Sequence, residues 1–387
     1  MKPASETELA EMIQAATGPL SVIGGGTRLR WRPVTGAPLS SAGLSGVRLY
    51  EPGALTLVAG AGTPVDEIVG VLVEKGQRLA FEPPDMRGLM GHDGTPTIGG
   101  VVAANASGPR RVQLGACRDF LLGVRFVDGA GRIVKNGGRV MKNVTGYDLV
   151  KLMAGSFGTL GVLSEVSLKV LAVPQAEATL IARDLPLDQA LGALRAALAT
   201  PFDISGACHD ATGAEAQTRL RIEGMAGSVR YRSERLRAAV CAGWDLVEGA
   251  DSAELWRATR DASAFVGSNE AVWKISTMPG RAEDLMATLT AQDLAHRALF
   301  DWGGGLIWLA VPQTGDSGAA LIRATLARLG GHATLLRADG RLRQAAPMFQ
   351  PRDPALALLE TGLRDRFDPR GILNPGLMGA RQKVGTA

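Results

Sequence analysis

The sequence of 387 residues is poor in cysteine and histidine and contains no long apolar run. Its three cysteines, Cys117, Cys208 and Cys241, stand far apart and form no C-x-x-C pair, which argues against a zinc or iron–sulfur site within the chain. So few cysteines are typical of a reducing compartment. Because neither a run of about 18 apolar residues nor an apolar signal core occurs, we predict a cytoplasmic protein. Any contact with the inner face of the cell membrane is expected to be peripheral and made through partners.

The usual motifs of nucleotide and hydrolase sites are also missing. There is no G-x-x-x-x-G-K-[ST] motif, and no G-x-G-x-x-G motif opens a helix after a strand, which argues against Walker and Rossmann sites. H-E-x-x-H and G-x-S-x-G are absent too, which removes zincins and typical α/β-hydrolases. The 42 Lys and Arg residues exceed the 38 Asp and Glu residues by four, without a block of one sign. This balance suits an anionic small molecule and does not indicate nucleic acid.

Glycine, by contrast, is abundant, with 50 of the 387 residues, where an average protein has about 7%. It gathers in three clusters, GGGTR at 24–28, TIGGVVAANASG at 97–108 and GSFGTLG at 155–161. Backbone N–H groups without side chains in the way form concave nests for anions, and a pyrophosphate is the usual guest where several such loops converge. Each cluster alone also fits a tight turn or a close packing contact; together they favour a phosphate-bearing ligand.

Strand and helix patterns change character at Pro174. Before it, 54–62 and 162–170 are predicted as strands and 121–138 as a β-hairpin. After it, strand and helix patterns alternate, which predicts an α+β sheet covered on one face. The helices predicted from apolar spacing lie at 63–76, 187–198, 228–240, 281–293 and 317–330.

The third glycine cluster belongs to a longer motif that carries a family resemblance. The stretch GGRVMKNVTGYDLVKLMAGSFGTLGVLSEVSLKV at 137–170 resembles the pattern K-N-x-x-G-Y-D-L…G-S-x-G-T-L-G-V-x-x-E-x-x-L-K. That pattern marks the glycolate and D-lactate dehydrogenase branch of the vanillyl-alcohol oxidase/p-cresol methylhydroxylase (PCMH) superfamily. With SGPRRVQLGACRDF at 107–120, the chain is most similar to FAD-binding subunits of bacterial glycolate oxidase. The resemblance covers residues 1 to about 172 and the motif FDPRGILNPG at 367–376.

The resemblance implies an α+β fold in three parts. Residues 1–172 would form a PCMH-type two-subdomain FAD-binding domain. Residues 173–345 would form a ferredoxin-like α+β cap of the substrate-domain type. Residues 346–387 would form a C-terminal segment that packs back on the FAD-binding domain.

The resemblance also assigns the three glycine clusters to noncovalently bound FAD. The first cluster would wrap the pyrophosphate, the second would follow the flavin and diphosphate, and the third would lie beside the isoalloxazine or ribityl chain. Thr27 stands where many relatives carry the histidine that bonds covalently to the flavin, so we expect no histidyl linkage there. No metal is implied. The implied cofactor-binding residues are Gly24, Gly25, Gly26, Thr27, Arg28, Thr97, Ile98, Gly99, Gly100, Asn105, Ser107, Gly158, Thr159, Gly161, Val162 and, from the LNPG motif, Asn374.

The sequence identifies no catalytic residue. Oxidation of an alcohol carbon needs a proton acceptor as well as a hydride acceptor. Arg110 and Arg111 suit a carboxylate or a phosphate, or an exposed loop, and His209 suits a turn. The chain has four histidines, which form no pair at a catalytic or metal-ligand spacing: His92, His209, His296 and His332. We therefore expect a partner to supply the base, and the isolated chain to be inactive.

The activity implied by the resemblance is an FAD-dependent oxidation of a short 2-hydroxy acid, glycolate to glyoxylate, by one subunit of a glycolate oxidase complex. The implied partners are a second, catalytic FAD-binding subunit and an iron–sulfur subunit that receives the electrons. Two alternatives stay open. One is a self-sufficient FAD-dependent 2-hydroxy-acid dehydrogenase of the D-lactate type, and the other is a non-catalytic electron-relay or assembly subunit.

Overall fold

The computed structural model describes residues 1–28, 35–139 and 146–381, except for the side chains of 343–345. The described residues build two large antiparallel sheets in succession, one of five strands and one of eight, and two small sheets of two strands each. The strands of the smaller sheet lie between residues 47 and 169, and those of the larger sheet between 176 and 337. Within the described ranges, no helix combines the length and apolar character that a membrane span needs.

The N-terminal part consists of short elements around the five-stranded sheet, whose spatial order is Val47–Glu51, Thr56–Gly60, Val162–Lys169, Leu121–Val127 and Ile133–Gly137. In chain order the elements are α1 (Glu6–Ala15), β1 (Leu20–Ile23), β2 (Ala37–Ser40), β3 (Val47–Glu51), β4 (Thr56–Gly60), α2 (Val65–Val73), β5 (Gln77–Arg78), α3 (Arg87–Met90), α4 (Ile98–Ala103), α5 (Arg111–Leu114), β6 (Leu121–Val127), β7 (Ile133–Gly137), α6 (Leu149–Met153), β8 (Val162–Lys169) and β9 (Leu171–Ala172).

Local sequence signals explain where several of these elements begin and turn. The hydroxyl of Ser5 accepts a hydrogen bond from the Glu8 N–H (3.1 Å) and so caps α1. The predicted hairpin at 121–138 is formed by β6 and β7. In its turn, the Asp128 carboxylate accepts hydrogen bonds from the N–H groups of Ala130 and Arg132, both at 2.9 Å. Short polar side chains thus replace missing backbone partners at both places.

The C-terminal part holds the eight-stranded sheet with helices between its strands. Its elements are β10 (Ala176–Arg183), α7 (Leu187–Leu198), β11 (Ile204–Asp210), β12 (Gln217–Gly224), α8 (Ala226–Ala239), β13 (Asp245–Glu248), α9 (Gly249–Arg260), β14 (Ala271–Ser276), α10 (Ala282–Ala291), β15 (Arg297–Asp301), β16 (Leu306–Val311), α11 (Ala319–Leu329) and β17 (His332–Arg337), followed by α12 (Gly340–Ala345) and α13 (Pro354–Phe367).

The cap contains two ferredoxin-like units rather than one. The first runs β10–α7–β11–β12–α8–β13 and the second β14–α10–β15–β16–α11–β17. In space the strands follow the order β13-β10-β12-β11-β15-β16-β14-β17, so each half repeats the β-α-β-β-α-β arrangement. The two halves join through pairing of β11 with β15. The predicted α+β fold class is confirmed, and the expected single unit proves to be a fused pair.

One face of the larger sheet is turned away from α11. On β14, the Trp273 indole donates to the carbonyl of Ser317 (3.1 Å), just before α11. Successive strand residues point to opposite faces, so Lys274 points to the other face. Its cross-strand neighbours there are Trp308 and Thr334. This second face is called the open face below.

A buried ion network joins the two parts of the chain. Arg221 of β12, whose side chain is only 1% exposed, makes two parallel 2.9 Å hydrogen bonds to Glu82. Arg110 contacts Glu82 (2.6 Å) and Glu223 (2.8 Å), and Arg78 contacts Glu223 (2.6 Å). The interdomain ion network therefore balances three cations against three carboxylates: Arg78, Arg110, Arg221, Glu82, Glu177 and Glu223.

The C-terminal segment returns to the N-terminal part. Leu373 forms a parallel bridge with Leu20 at the edge of β1. The Arg370 guanidinium donates to the carbonyl groups of Gly129 (2.9 Å) and Ala16 (3.1 Å). These contacts fix residues 367–376 against α1, β1 and the hairpin turn.

Candidate functional site

The three glycine clusters converge on one cavity. Its walls come from the exit of β1, from α4 and its preceding turn, and from the loop before β8. The predicted cofactor residues that line it are Gly24, Gly25, Gly26, Thr27, Arg28, Thr97, Gly99, Gly100, Gly158, Gly161 and Val162. The structure thus brings together residues from all three clusters, which are spread from residue 24 to residue 161 of the sequence.

At each of the three consecutive glycines a different physical constraint disfavours a side chain. A Cβ on Gly24 would lie 2.5 Å from the Thr97 hydroxyl, and a Cβ on Gly25 would lie 1.5 Å from the Thr95 carbonyl oxygen. Gly26 faces open space but has φ +73°, which side chains disfavour. The first two glycines therefore let the first loop press against the second, and the third makes the turn.

The second and third clusters are also shaped by close packing. A Cβ on Gly99 would lie 2.7 Å from both the Cβ and the carbonyl oxygen of Ala61, and a Cβ on Gly161 would lie 2.6 Å from the Phe126 ring. Gly158 has φ +71°. Because these glycines bring neighbouring backbone close, main-chain groups form much of the cavity wall. Lys142 and Asn143 of the motif at 137–170 lie outside the described residues.

Five predicted cofactor residues do not line the cavity. Ile98 is fully buried in the core. The Asn105 carboxamide accepts from the Arg118 N–H (3.0 Å), and the Ser107 hydroxyl accepts from the Cys117 N–H (2.9 Å). The remaining two, Thr159 and Asn374, bond to backbone as well. These residues hold the loops in place rather than facing the cavity.

Asn374 shows this supporting role most fully. Its side chain accepts from the Val22 N–H (2.7 Å) and donates to the carbonyl of Phe157 (2.8 Å). It is only 2% exposed. One amide thus links the C-terminal segment to the exit of β1 and to the third glycine cluster. Asn374 therefore lies next to the glycine clusters, with its amide bonded to backbone, and a direct contact between Asn374 and the cofactor stays a prediction.

Arg28 and Arg111 both lie within electrostatic reach of Lys274, and we call these three cations the cation cluster. Arg28 lines the cavity and donates to the Pro84 carbonyl (2.7 Å). Arg111 of α5 stacks on the Trp302 ring at 4.5 Å, and the Lys274 ammonium lies 5.7 Å from the Trp308 ring centre on the open face. Within the described ranges, no carboxylate forms an ion pair with any of the three.

The pKa values of two members of the cation cluster, Lys274 and Arg28, are lowered. Burial, reinforced by the charges of Arg111 and Arg28, lowers the pKa of Lys274 to about 8. Burial also lowers the pKa of Arg28 to about 10, although Asp85 acts in the opposite direction. At neutral pH the arginines stay charged, while Lys274 is mostly protonated and reaches its midpoint near pH 8. Perturbed, unpaired cations beside a cavity are typical of functional sites.

A buried carboxylic acid adds a fourth titratable group. Asp301, at the end of β15, is only 1% exposed and accepts the Trp302 N–H at 2.7 Å. Burial raises its pKa to about 7, against the opposing effects of that hydrogen bond and of Arg221. Lys274 lies within its electrostatic reach and also favours the ionised form. Lys274 and Asp301 therefore both titrate near neutral pH.

Sequence reasoning missed Lys274 and Asp301. The signal for Lys274 is a single charge inside the apolar strand AVWKIST, between Trp273 and Ile275. A lone lysine there also fits a solvent-exposed position on an edge strand, so the pattern alone does not distinguish a buried functional lysine from an exposed one. The signal for Asp301 is an acid before three glycines, which equally fits a turn.

Two predicted roles need correction. Arg110 is neither exposed nor free for a ligand, because it is held in the interdomain ion network. His209 lies within β11 rather than in a turn, and its ring bonds to the Thr218 hydroxyl (3.0 Å). Burial lowers the pKa of His209 to about 4. His332 begins β17, as predicted, opposite Ser276.

The cavity walls predict noncovalent flavin binding. Among the described residues that line it, none is His, Cys or Tyr, and Thr27 lies at the wall where the resemblance implies no histidyl linkage. Burial raises the pKa of the nearby Cys117 thiol to about 12, which suppresses its thiolate. Acid precipitation of the loaded protein should therefore release essentially all flavin into the supernatant. Yellow colour that persists in the washed pellet would contradict this expectation.

Known proteins resemble the chain over its first third and over nearly its whole length. A family model described as an FAD binding domain matches residues 1–137. Glycolate oxidase subunit GlcE of Escherichia coli is 36% identical over 350 residues, covering 90% of this chain and 88% of that protein. Glycolate oxidase subunit GlcD of Bacillus subtilis is 34% identical over 132 residues, covering 34% of this chain and 25% of that protein.

A solved structure shares the fold across the full chain. The 4-ethylphenol oxidase from Gulosibacter chungangensis superposes with a TM-score of 0.72 at 15% identity, covering 99% of this chain and 89% of its own. At that identity the likeness concerns the fold alone.

Proposed function

Because the chain belongs to the PCMH-type family of FAD-binding oxidoreductases, in the branch of glycolate oxidase subunit GlcE, we propose that it is the FAD-binding subunit of a glycolate oxidase complex. The chain is an FAD-dependent oxidoreductase that acts on 2-hydroxy acids. In the proposed complex it takes part in oxidising glycolate to glyoxylate, and the electrons pass to an iron–sulfur partner.

The glycine-lined cavity supports the cofactor part of this proposal. Its walls expose main-chain groups of Gly24, Gly26, Gly99, Gly100 and Gly158, which suit a diphosphate that must approach the backbone closely. Arg28 at the same wall supplies a positive charge. Bound there, FAD would supply the hydride acceptor, while the remaining chemistry falls to the protein.

The cation cluster is the single observation that carries the substrate part. A short 2-hydroxy acid brings one carboxylate, and Arg111 and Lys274 are cations that form no ion pair with a carboxylate of the described residues, while Arg28 serves the diphosphate. Arg111 can bind a carboxylate through two parallel N–H groups. Lys274 titrates near pH 8, so its neutral form can accept the hydroxyl proton as the hydride leaves.

The proposed role of Lys274 changes the expected source of the proton acceptor. The absence of paired histidines predicted that a partner must supply the base. With Lys274 on the open face, the proton acceptor is proposed to lie in this chain. The same residue favours a second candidate function, a self-sufficient 2-hydroxy-acid dehydrogenase. In that case this chain alone would bind the cofactor, bind the substrate carboxylate and accept the hydroxyl proton.

The test compares the isolated FAD-loaded chain with the purified complex. Under anaerobic conditions we expect glycolate to bleach the flavin absorbance in both, with sustained dye reduction in the complex only. Equal dye reduction by the isolated chain would favour the self-sufficient dehydrogenase instead. Flavin that stays oxidised in the isolated chain but is reduced in the complex would overturn the substrate role of this chain and leave the relay subunit, and flavin that stays oxidised in both would overturn the glycolate oxidase proposal.

The same assay tests the role of Lys274. Because the neutral amine is the active form, flavin reduction should rise with pH around 8. Lys274→Met should slow it about a hundredfold and remove that pH dependence. Lys75→Met, at an exposed position of the same residue type, is the matched control and should change neither. An unaltered pH profile in Lys274→Met would exclude this residue as the proton acceptor.

A further inference from the structure

Trp302 has a backbone conformation that bulky side chains rarely adopt. It directly follows β15 and has φ +52°, in the left-handed region, and the two glycines after it also lie there, at +66° for Gly303 and +100° for Gly304. Glycine enters this region without a steric cost, whereas a bulky residue there is a genuine outlier. Such a residue persists only where its surroundings fix it, and it points to a functional role.

Three contacts hold the turn at Trp302 in place. The buried Asp301 carboxylate accepts its backbone N–H at 2.7 Å, and its indole N–H donates to the Gly108 carbonyl at 3.1 Å. The turn is also closely packed, because a Cβ on Gly303 would lie 2.6 Å from a methyl group of Leu198. Since Gly108 ends the second glycine cluster, the indole connects the cap to the N-terminal part of the chain.

The indole ring of Trp302 supports Arg111. The guanidinium carbon of Arg111 lies 4.5 Å from the ring centre. Stacking of this kind fixes the plane of the guanidinium and leaves its N–H groups available for a carboxylate. Within the described ranges, no group accepts a hydrogen bond from this guanidinium. Asp119, a carboxylate within its electrostatic reach, is already bonded to Arg118 (3.7 Å) and to the Ala116 N–H (2.8 Å).

The turn that carries Trp302 begins on the open face of the larger sheet. Asp301, which precedes it, pairs with Leu306 on β16, and Leu306 pairs with Ser276 on β14. Directly paired residues point to the same face of a sheet, and Ser276 lies two residues after Lys274. Asp301 and Lys274 therefore both point to the open face, within electrostatic reach of each other. Trp302 thus starts beside the proposed proton acceptor.

We propose that Trp302 is a positioning residue whose ring holds Arg111 in the orientation that binds the substrate carboxylate near Lys274. The inference rests on the proposed function, since it assumes that a 2-hydroxy acid binds at the cation cluster. A long arginine without an ionic partner otherwise samples many rotamers, and ordering it on binding costs affinity. A ring fixed by the fold orders the guanidinium before the substrate arrives.

The experiment is a double-mutant cycle on the full-length FAD-loaded chain, with oxalate as the probe. Oxalate carries carboxylates but has no C–H bond to oxidise, so calorimetry measures its binding without turnover. Trp302→Leu should weaken oxalate binding about tenfold, and Arg111→Met about a hundredfold. Because Trp302 acts through Arg111, adding Trp302→Leu to Arg111→Met should weaken binding further by less than about twofold.

Two further measurements separate positioning from a merely structural role. In flavin reduction by glycolate, Trp302→Leu should raise the half-saturating glycolate concentration about tenfold and leave the maximal rate within about twofold. Trp302→Phe keeps a ring under Arg111 but loses the bond to Gly108, so it should weaken oxalate binding only about threefold. Tyr231→Leu on α8, at a position 57% exposed, is the matched control and should change neither oxalate binding nor glycolate kinetics.

The outcomes separate the positioning role from the proposed function. Wild type that neither binds oxalate nor is reduced by glycolate would overturn both. Wild-type affinity in Trp302→Leu, or a loss of the same size in the Arg111→Met background, would overturn the positioning role alone. If Trp302→Leu does not retain FAD, Trp302→Phe decides in its place, and a loss that survives in the Arg111→Met background then overturns the proposal.

Discussion

Gly25→Val should yield protein without FAD. The Cβ of any residue other than glycine would lie 1.5 Å from the Thr95 carbonyl oxygen, a separation that two nonbonded atoms cannot hold. The segment from Gly94 to Thr97 must then move away. Since Thr97 and Gly25 form facing walls of the same cavity, that displacement separates the first two glycine clusters. We expect FAD affinity to fall about a hundredfold or more.

The neighbouring glycines provide matched controls. Gly26→Ala meets no atom within 4 Å and suffers only its φ of +73°, a strain of about 1–2 kcal/mol. Gly18→Ala has open space and no such strain, and should bind as wild type does. The measurement is the flavin-to-protein ratio after gel filtration, followed by titration with FAD. Wild-type affinity in Gly25→Val would mean that the loop contact can relax without loss of the site.

Arg221→Met should destabilise the folded chain by about 3–5 kcal/mol. The substitution leaves Glu82 and Glu223 buried with one cation fewer, and a buried unpaired carboxylate is costly. It also removes the stacking of the guanidinium on Trp256, at 4.6 Å. Urea unfolding followed by fluorescence measures the loss. Arg257→Met, at an exposed ion pair with Glu254, is the control and should cost less than about 1 kcal/mol.

The effect of Arg221→Met should depend on pH in a defined direction. Burial alone would raise the pKa of Glu82 and Glu223, but the charges and hydrogen bonds of Arg221 and Arg110 together outweigh burial, and both pKa values lie below the ordinary value of about 4.5. A carboxylate with a lowered folded-state pKa contributes stability above its unfolded pKa and loses it as the pH falls. The difference between wild type and variant should thus be full above pH 4.5 and shrink below it. A difference under about 1 kcal/mol at neutral pH would contradict the account.

Much of the cofactor site could be predicted because its signals are local. Glycine clusters and their order in the chain are visible in the sequence, and the structure brings them to one cavity. The reason for each glycine could not be predicted. Gly24 and Gly25 were expected to approach a ligand, whereas their missing Cβ atoms face Thr97 and Thr95. That distinction depends on how two loops pack, which no single-chain pattern records.

The parts that could not be predicted all depend on distant pairings. Alternating strands and helices predicted the cap, but the pairing of β11 with β15, which fuses two units, joins segments about 90 residues apart. The interdomain ion network draws on residues scattered from Arg78 to Glu223. Lys274 can be recognised only when the face of the sheet to which it points is known. The sequence shows its charge but not its cross-strand neighbours, Trp308 and Thr334.

The contact between β1 and the C-terminal segment sets an order on biosynthesis. The Val22 N–H is bonded to Asn374, 352 residues away in the chain, and Leu20 pairs with Leu373. During translation the exit of β1, which forms one wall of the cavity, is synthesised early. Its partners in the C-terminal segment, Leu373 and Asn374, are synthesised only after nearly the whole chain. A nascent chain or a fragment that stops before residue 370 would lack the Asn374 amide, which joins the exit of β1 to the third glycine cluster. The complete contact set around the exit of β1 is therefore expected to form only after nearly the whole chain has been synthesised.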